Sequence, residues 1–240
     1  MLLCRALLFY TGMILATLIV SPVSIIIYPL PFKLRYAFVS HWAAFNIWWL
    51  KVTCGLTHSV EGLENIPGSP AIIMCKHQSA WETFVLQQIF PAQAWILKRE
   101  LLWIPVYGLG LATLKPIAID RGSTFKSLRQ IVKQGCERLA QGIWVVIFPE
   151  GLRVAPGERT KYLPGGGLLA EKTGYPIVPI AHNSGYFWPH NSLIKKPGTI
   201  NMIIGPLIET EGKSANDITA EVEEWIESTM EILSTPESTA

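Results

Sequence analysis

At 240 residues the chain is long enough for one α/β domain with a full core plus an appendage. Half of it is hydrophobic and only 16% is charged, so the surplus of apolar side chains points to membrane lipids as surroundings. A formal charge of +2 is too small to argue for a polyanion, and no nucleic-acid partner is expected.

The front end is apolar. Residues 6–32, between Arg5 and Lys33, carry no charge; as one straight helix they would measure roughly 40 Å against a hydrocarbon core of about 30 Å. Pro22, Pro29 and Pro31 punctuate this run. A second uncharged stretch, Tyr36 to Leu50, places Phe38, Trp42, Phe45 and Trp49 on one helical face. Its aromatic density resembles an interfacial belt, which leaves two readings open: a two-helix hairpin dipping into one leaflet, or one span plus a surface helix. Arg5 precedes the apolar run whereas Lys33, Arg35 and Lys51 follow it. By the positive-inside tendency this leaves the rest of the chain on the cytoplasmic side of the membrane. The run is too long for a cleaved signal peptide, and no small-residue site closes it. Residues 1–58 are therefore expected to form a membrane-associated hairpin and residues 59–240 a separate domain.

After VEGLENIPGSP, short apolar runs alternate with helical patterns: AIIMC then WETFVLQQIF, AWIL then LLWIPVYGLGLATL, PIAI then STFKSLRQIVKQGCERLAQ, and WVVIF then LPGGGLLAEKTG. PIVPIA and TINMIIG complete the series. Uniformly apolar runs separated by helices predict an α/β fold with a mostly parallel or mixed sheet flanked by helices. Two covering helices are expected, one burying Phe125, Leu128, Val132, Cys136 and Leu139, the other Ile218, Val222, Trp225, Ile226 and Met230. The glycines of LPGGG are expected to form a turn, and STPESTA a frayed tail. Cys4, Cys54, Cys75 and Cys136 show neither a zinc spacing nor a disulfide framework, and are expected to be reduced core residues.

In open α/β sheets, ligands gather beyond the C-terminal ends of strands. Four such exits carry polar groups: Lys76 and His77, Lys98 and Arg99, Asp120 and Arg121, and the FPEGLR run with Glu150, Gly151 and Arg153. A histidine just beyond a strand can take a proton from a substrate hydroxyl if a partner fixes its tautomer. Glu82 is the candidate partner. In KHQSAWETF, however, Ser79 and Glu82 also form the S-x-x-E capping box, so the carboxylate has a structural task available at the same position. Orientation of His77 and capping of the helix stay open as alternatives. No GK[ST] follows the glycine run and no GxSxG is present, which removes a P-loop NTPase and a serine hydrolase. His182 and His190 are too isolated in sequence to suggest a metal site with His77.

KHQSAWETF, KRELLWIPVYG, IAIDRG, FPEGLR and PIVPIAHNSG, in this order over roughly residues 60–185, resemble the glycerolipid acyltransferases, specifically the bacterial lysophosphatidic acid acyltransferases. The resemblance implies acyl transfer from an acyl-CoA or acyl carrier protein thioester to the sn-2 hydroxyl of lysophosphatidic acid at the inner membrane. Neither a cofactor nor a metal would be needed. His77 would be the general base and Glu82, where the family more often has aspartate, its orienting acid. Arg121 and Arg153 would bind phosphate, with Lys98 a further cation. Gly151 would let backbone approach the headgroup, and Glu150 would orient Arg153 or the glycerol. Leu152 stands where the family generally has threonine, so a hydroxyl contact there is lost.

Overall fold

In the computed structural model, which describes residues 1–120 and 122–233, two long helices open the chain: α1 (Leu2–Ile26) and α2 (Phe32–Cys54). Arg121 and the STPESTA tail lie outside the described residues. Pro22 sits inside α1 without ending it, and the break falls at residues 27–31, where Pro31 immediately precedes α2. α2 stops at Gly55, whose φ of 66° is the left-handed conformation common after a helix end. The two helices pack closely because Gly12 has no Cβ; one added there would come within 2.1 Å of the Trp49 indole. Trp49 Nε1 donates to the Leu8 carbonyl at 3.2 Å, and Trp42 Nε1 to Thr17 Oγ1 at 3.0 Å. The buried stripe of α2 is Tyr36, Val39, Ala43, Asn46 and Leu50. The aromatic stripe expected from the sequence lies beside it. Trp42 and Trp49 turn toward α1, while Phe38 stays exposed.

Seven strands follow: β1 (Leu56–Glu61), β2 (Ile72–Cys75), β3 (Gln93–Lys98), β4 (Ile117–Ile119), β5 (Trp144–Ile147), β6 (Ile177–His182) and β7 (Gly198–Ile204). They form one sheet in the order β1-β7-β6-β2-β5-β3-β4. Neighbours pair parallel except β6 and β7, so β7 and β1 run against the other five and the sheet is mixed. β1 begins two residues after α2 ends and straddles residue 58.

The helices of the domain are α3 (Trp81–Ile89), α4 (Tyr107–Ala112), α5 (Thr124–Ala140), α6 (Gly165–Thr173), α7 (Ser184–Phe187) and α8 (Ala215–Leu233). Strand alternation divides the core. Ile73 and Cys75 of β2 face a cluster with Phe9, Ala43 and Leu50 of the hairpin and Phe84 of α3. Ile72 and Met74 face the opposite cluster with Ile131 of α5, Leu169 of α6 and Val222 of α8. The chain leaves β2 through α3 toward β3, and leaves β5 through α6 toward β6. These opposite departures open a crevice at the C-terminal ends of β2 and β5.

Three expectations from the sequence are corrected. The LPGGG glycines begin α6 rather than forming a turn, because the helix presses against its surroundings there. A Cβ on Gly166 would meet the Met74 side chain at 2.7 Å, and one on Gly167 the Ala215 carbonyl oxygen at 2.3 Å. Phe125 is exposed, and the buried positions of α5 are Ile131, Gly135 and Leu139, a stripe rotated from the one inferred from large apolar side chains alone. The cysteines divide: all four are free, but only Cys54 and Cys75 are buried, while Cys4 is exposed and Cys136 half-buried.

The hairpin is fastened to the domain near both ends of α1. Phe9 is fully buried, edge-on to Trp188 with ring centroids 5.3 Å apart. Beside it the buried Lys195 places Nζ over the Phe9, Tyr10 and Trp188 rings at 4.7, 3.7 and 4.5 Å. Toward the other end, Gly110 of α4 lies so close to Ser21 that a Cβ would sit 2.6 Å from its hydroxyl.

Candidate active site

β2 delivers Lys76 and His77 into the crevice, and the turn that follows folds back through Glu82, in the first turn of α3. Glu82 is fully buried. Its Oε1 accepts from His77 Nδ1 at 2.8 Å and from the backbone N–H groups of Gln78 and Ser79, each at 3.0 Å. A carboxylate can only accept, so Nδ1 carries the hydrogen and the lone pair lies on Nε2. Glu82 Oε2 accepts from Ser79 Oγ at 2.6 Å. That hydroxyl has then spent its hydrogen, so at the 2.9 Å contact with Ser184 it is Ser184 Oγ that donates.

The capping box expected from the sequence is only partly formed: Ser79 is not the N-cap of α3, and Glu82 stands one position nearer the helix start than N3. It reaches back to the Ser79 N–H as a capping box requires, and it grips the imidazole. The box is modified: Ser79 Oγ accepts from the Trp81 N–H at 3.0 Å, and Ala80 is the residue before α3. Burial alone would raise the Glu82 carboxyl, but the His182 charge, the His77 hydrogen bond and charge, and the Ser79 hydroxyl together hold it down at about 2. Burial keeps His182 itself below its ordinary value despite Glu82 3.9 Å away.

The His77 ring stacks on Phe148, centroids 3.8 Å apart and planes 13° from parallel, which fixes its tilt. Phe148 opens the FPEGLR turn after β5, and the Val154 N–H donates to the His77 carbonyl at 2.8 Å, tying that turn to the histidine. Gly151 adopts φ +67°, and a Cβ there would also meet Leu163 at 2.5 Å, so the turn depends on glycine. His77, Lys98, Glu150, Gly151 and Arg153 all line one cavity of about 1040 Å³. Its walls include Thr17 and Ser21 of α1, Trp42 of α2 and Leu111 of α4. Lys98 and Arg153 are exposed at its rim. Arg121 lies outside the described residues, and the turn before it is shaped by Asp120, whose Oδ1 accepts from the Gly122 N–H at 3.1 Å and whose carbonyl accepts from the Ser127 hydroxyl.

Glu150 is buried and lines the same cavity. Lys76 Nζ forms an ion pair with its Oε1 at 3.0 Å. Burial raises this carboxyl to about 7, with the Lys76 charge only partly offsetting it. Lys76 also donates to Glu227 Oε1 of α8 at 2.6 Å, and Tyr162 donates to the same oxygen at 2.9 Å. One buried ammonium thus serves two carboxylates. Sequence reasoning saw Lys76 as a polar strand exit but missed Glu227, Tyr162, Ser184 and the Phe148 stacking. No spacing signals them, because their partners lie far away along the chain. Among the described residues no group of three or more His, Cys, Asp and Glu side chains is arranged to hold a metal ion.

A buried carboxylate thus holds a histidine at the wall of a large, mostly apolar cavity at the strand ends of a mixed sheet. The chain belongs to the acyltransferase family, whose model matches residues 58–183. It is 45% identical over 231 residues to the 1-acyl-sn-glycerol-3-phosphate acyltransferase of Pseudomonas aeruginosa, covering 94% of this chain and 90% of that one. It is 29% identical over 174 residues to the human 1-acyl-sn-glycerol-3-phosphate acyltransferase alpha, covering 71% of this chain and 62% of the relative. The crystal structure of the 1-acyl-sn-glycerophosphate acyltransferase of Thermotoga maritima superposes with a TM-score of 0.82 at 22% identity, covering 99% of this chain and 98% of that one, a likeness of fold.

Proposed function

We propose that this chain transfers the acyl group of a thioester, carried by coenzyme A or acyl carrier protein, to the sn-2 hydroxyl of lysophosphatidic acid, giving phosphatidic acid. The observation that carries the reading is the His77–Glu82 pair, with Nδ1 committed to Glu82 at 2.8 Å, set in a cavity that the hairpin helps to wall. His77 Nε2 takes the hydroxyl proton as the acceptor oxygen attacks the thioester carbonyl. The tetrahedral oxyanion collapses, the C–S bond breaks, and the imidazolium returns its proton to the departing thiolate. Glu82 stabilises the imidazolium in between. Arg153, Lys98 and Arg121 bind the phosphomonoester, for which guanidinium groups suit bidentate recognition. Glu150, paired with Lys76 and lining the same cavity, orients Arg153 or the glycerol.

The seat of the enzyme is the cytoplasmic face of the inner membrane. Among the described residues, α1 is the helix long and apolar enough to cross a membrane. Its contacts with the domain at Phe9 and at Ser21, about 18 Å apart along the helix axis, support a hairpin lying in one leaflet over a span. A lysophospholipid then keeps its chain in lipid or in the cavity, at about 0.8 kcal/mol per buried methylene.

The test incubates solubilised protein and an acyl thioester with lysophosphatidic acid, glycerol 3-phosphate, a lyso-aminolipid or monoacylglycerol. Phosphatidic acid from lysophosphatidic acid, at least about tenfold faster than any other product, is expected. Equal transfer to monoacylglycerol would overturn the phosphate-binding part of the reading.

A further inference from the structure

Between β3 and α4 the chain makes a short 3-10 turn, Arg99–Trp103, and then a sharp corner. The Tyr107 N–H donates to the Pro105 carbonyl at 2.7 Å across Val106, whose φ of 64° and ψ of −60° make a rare, strained γ-turn. A β-branched residue resists that conformation, so packing on either side must hold it in place. The corner leaves four apolar side chains on the outside within nine residues: Leu101, Trp103, Ile104 and Leu109, with Trp103 72% and Leu109 57% exposed. Singly exposed apolar residues need no explanation, but a cluster containing a tryptophan does. The inner side of the same stretch, through Leu101, Tyr107 and Leu111, lines the cavity.

We propose that this corner, residues 99–109, is a second membrane-contacting element that seats the cavity's rim in the headgroup and upper acyl region of an anionic leaflet. The inference rests on the lipid-acceptor reading above. Three features favour a bilayer as the occupant. The corner continues the apolar surface of α1, since Gly110 packs on Ser21 while Leu18, Ile19, Ile25 and Ile26 of α1 are exposed. Lys98 and Arg99 stand exposed at one end, a basic border beside an apolar patch, with Glu100 the one acidic side chain from 98 to 109. Tryptophan favours the interface, where its ring is half in lipid and its N–H in headgroups. A rim seated this way lets a lysolipid pass from leaflet to cavity without crossing water.

The test attaches an environment-sensitive NBD fluorophore at Trp103→Cys or Leu109→Cys in the full chain, with Cys4 and Cys136 changed to serine and the buried Cys54 and Cys75 kept. Ile19→Cys on α1 and the exposed Glu224→Cys on α8 serve as lipid and water references. In vesicles of phosphatidylethanolamine and phosphatidylglycerol, labels at 103 and 109 are expected to shift to the blue and to be quenched by nitroxide-bearing lipid, as at 19 and unlike at 224. Water-like emission at 103 with quenching at 19 would overturn the proposal. A blue shift at 103 that grows with protein concentration in detergent, without lipid, would overturn it in favour of a second copy of the chain. These readouts need no turnover, so they fail independently of the assigned reaction. In activity, Trp103→Asp should slow acylation of vesicle-borne lysophosphatidic acid about tenfold and leave a monomeric short-chain acceptor within twofold of wild type; equal loss on both would count against the seat.

Discussion

Replacing Glu82 by glutamine removes the charge while keeping an oxygen where Oε1 stands. The side-chain carbonyl can still accept from His77 Nδ1, Gln78 N–H and Ser79 N–H, and the amide nitrogen replaces Oε2 opposite Ser79 Oγ. Ser79 Oγ can then accept from that amide and turn its hydrogen toward Ser184 Oγ, reversing the 2.9 Å bond between the hydroxyls. The backbone of the turn therefore keeps its partners. What is lost is the charge that stabilises the imidazolium. A hydrogen bond to a charged group is worth about 1.5–3 kcal/mol, and 1.36 kcal/mol is tenfold in rate. The substitution is thus expected to lower kcat by roughly 10–150-fold with little change in KM. Glu82→Ala strands two buried N–H groups as well and should destabilise the fold by about 3 kcal/mol or more. The assay pairs steady-state acyl transfer with thermal unfolding of the three proteins in the same detergent. Wild-type kcat in Glu82→Gln would refute the orienting role and leave Glu82 as a cap, whatever stability is lost with the charge.

Lys76→Met, close in length but uncharged, leaves Glu150 and Glu227 without their shared cation. Breaking a buried pair this way costs about 3–5 kcal/mol, read as a lower denaturation midpoint. Gly167→Ala forces a methyl group against the Ala215 carbonyl oxygen and should cost about 1–3 kcal/mol, seen as a reduced Tm. The two site carboxylates should act on stability in opposite senses. Glu82, depressed from 4.5 to about 2, contributes stability that is complete above pH ~4.5 and lost as pH falls through 2. Glu150, raised from 4.5 to about 7, favours the fold most below pH ~4.5 and loses that contribution as pH rises through 7. Glu150→Gln should therefore flatten the pH dependence of unfolding between about 4.5 and 7, and an unchanged slope would contradict the placement of that carboxylate.

Much of the sheet could be read from the sequence because β2, β5 and β6 are buried at every position and appear as IIMC, WVVI and IVPIAH. β1 escaped because its mostly exposed run, LTHSVE, carries His58 and Ser59 in succession and lies at the sheet edge beside β7. The His77–Glu82 contact was within reach of the sequence because it spans five residues within one turn, while the capping alternative came from the separate Ser79–Glu82 spacing. The Lys76–Glu227 bond was not, since it joins positions 151 residues apart and depends on where α8 crosses the sheet. The glycines of α6 illustrate the same limit. Local propensity reads three glycines as a turn, whereas Gly166 and Gly167 are set by the Met74 side chain and the Ala215 carbonyl that press on them.

The base assignment is tested most directly by the single-turnover rate of His77→Ala on lysophosphatidic acid and an acyl thioester, with protein, donor and acceptor all saturating. Loss of general-base catalysis at an intact cavity predicts a rate lower by about 10²–10⁴-fold with acceptor affinity close to wild type. A single-turnover rate within a few-fold of wild type would contradict His77 as the base.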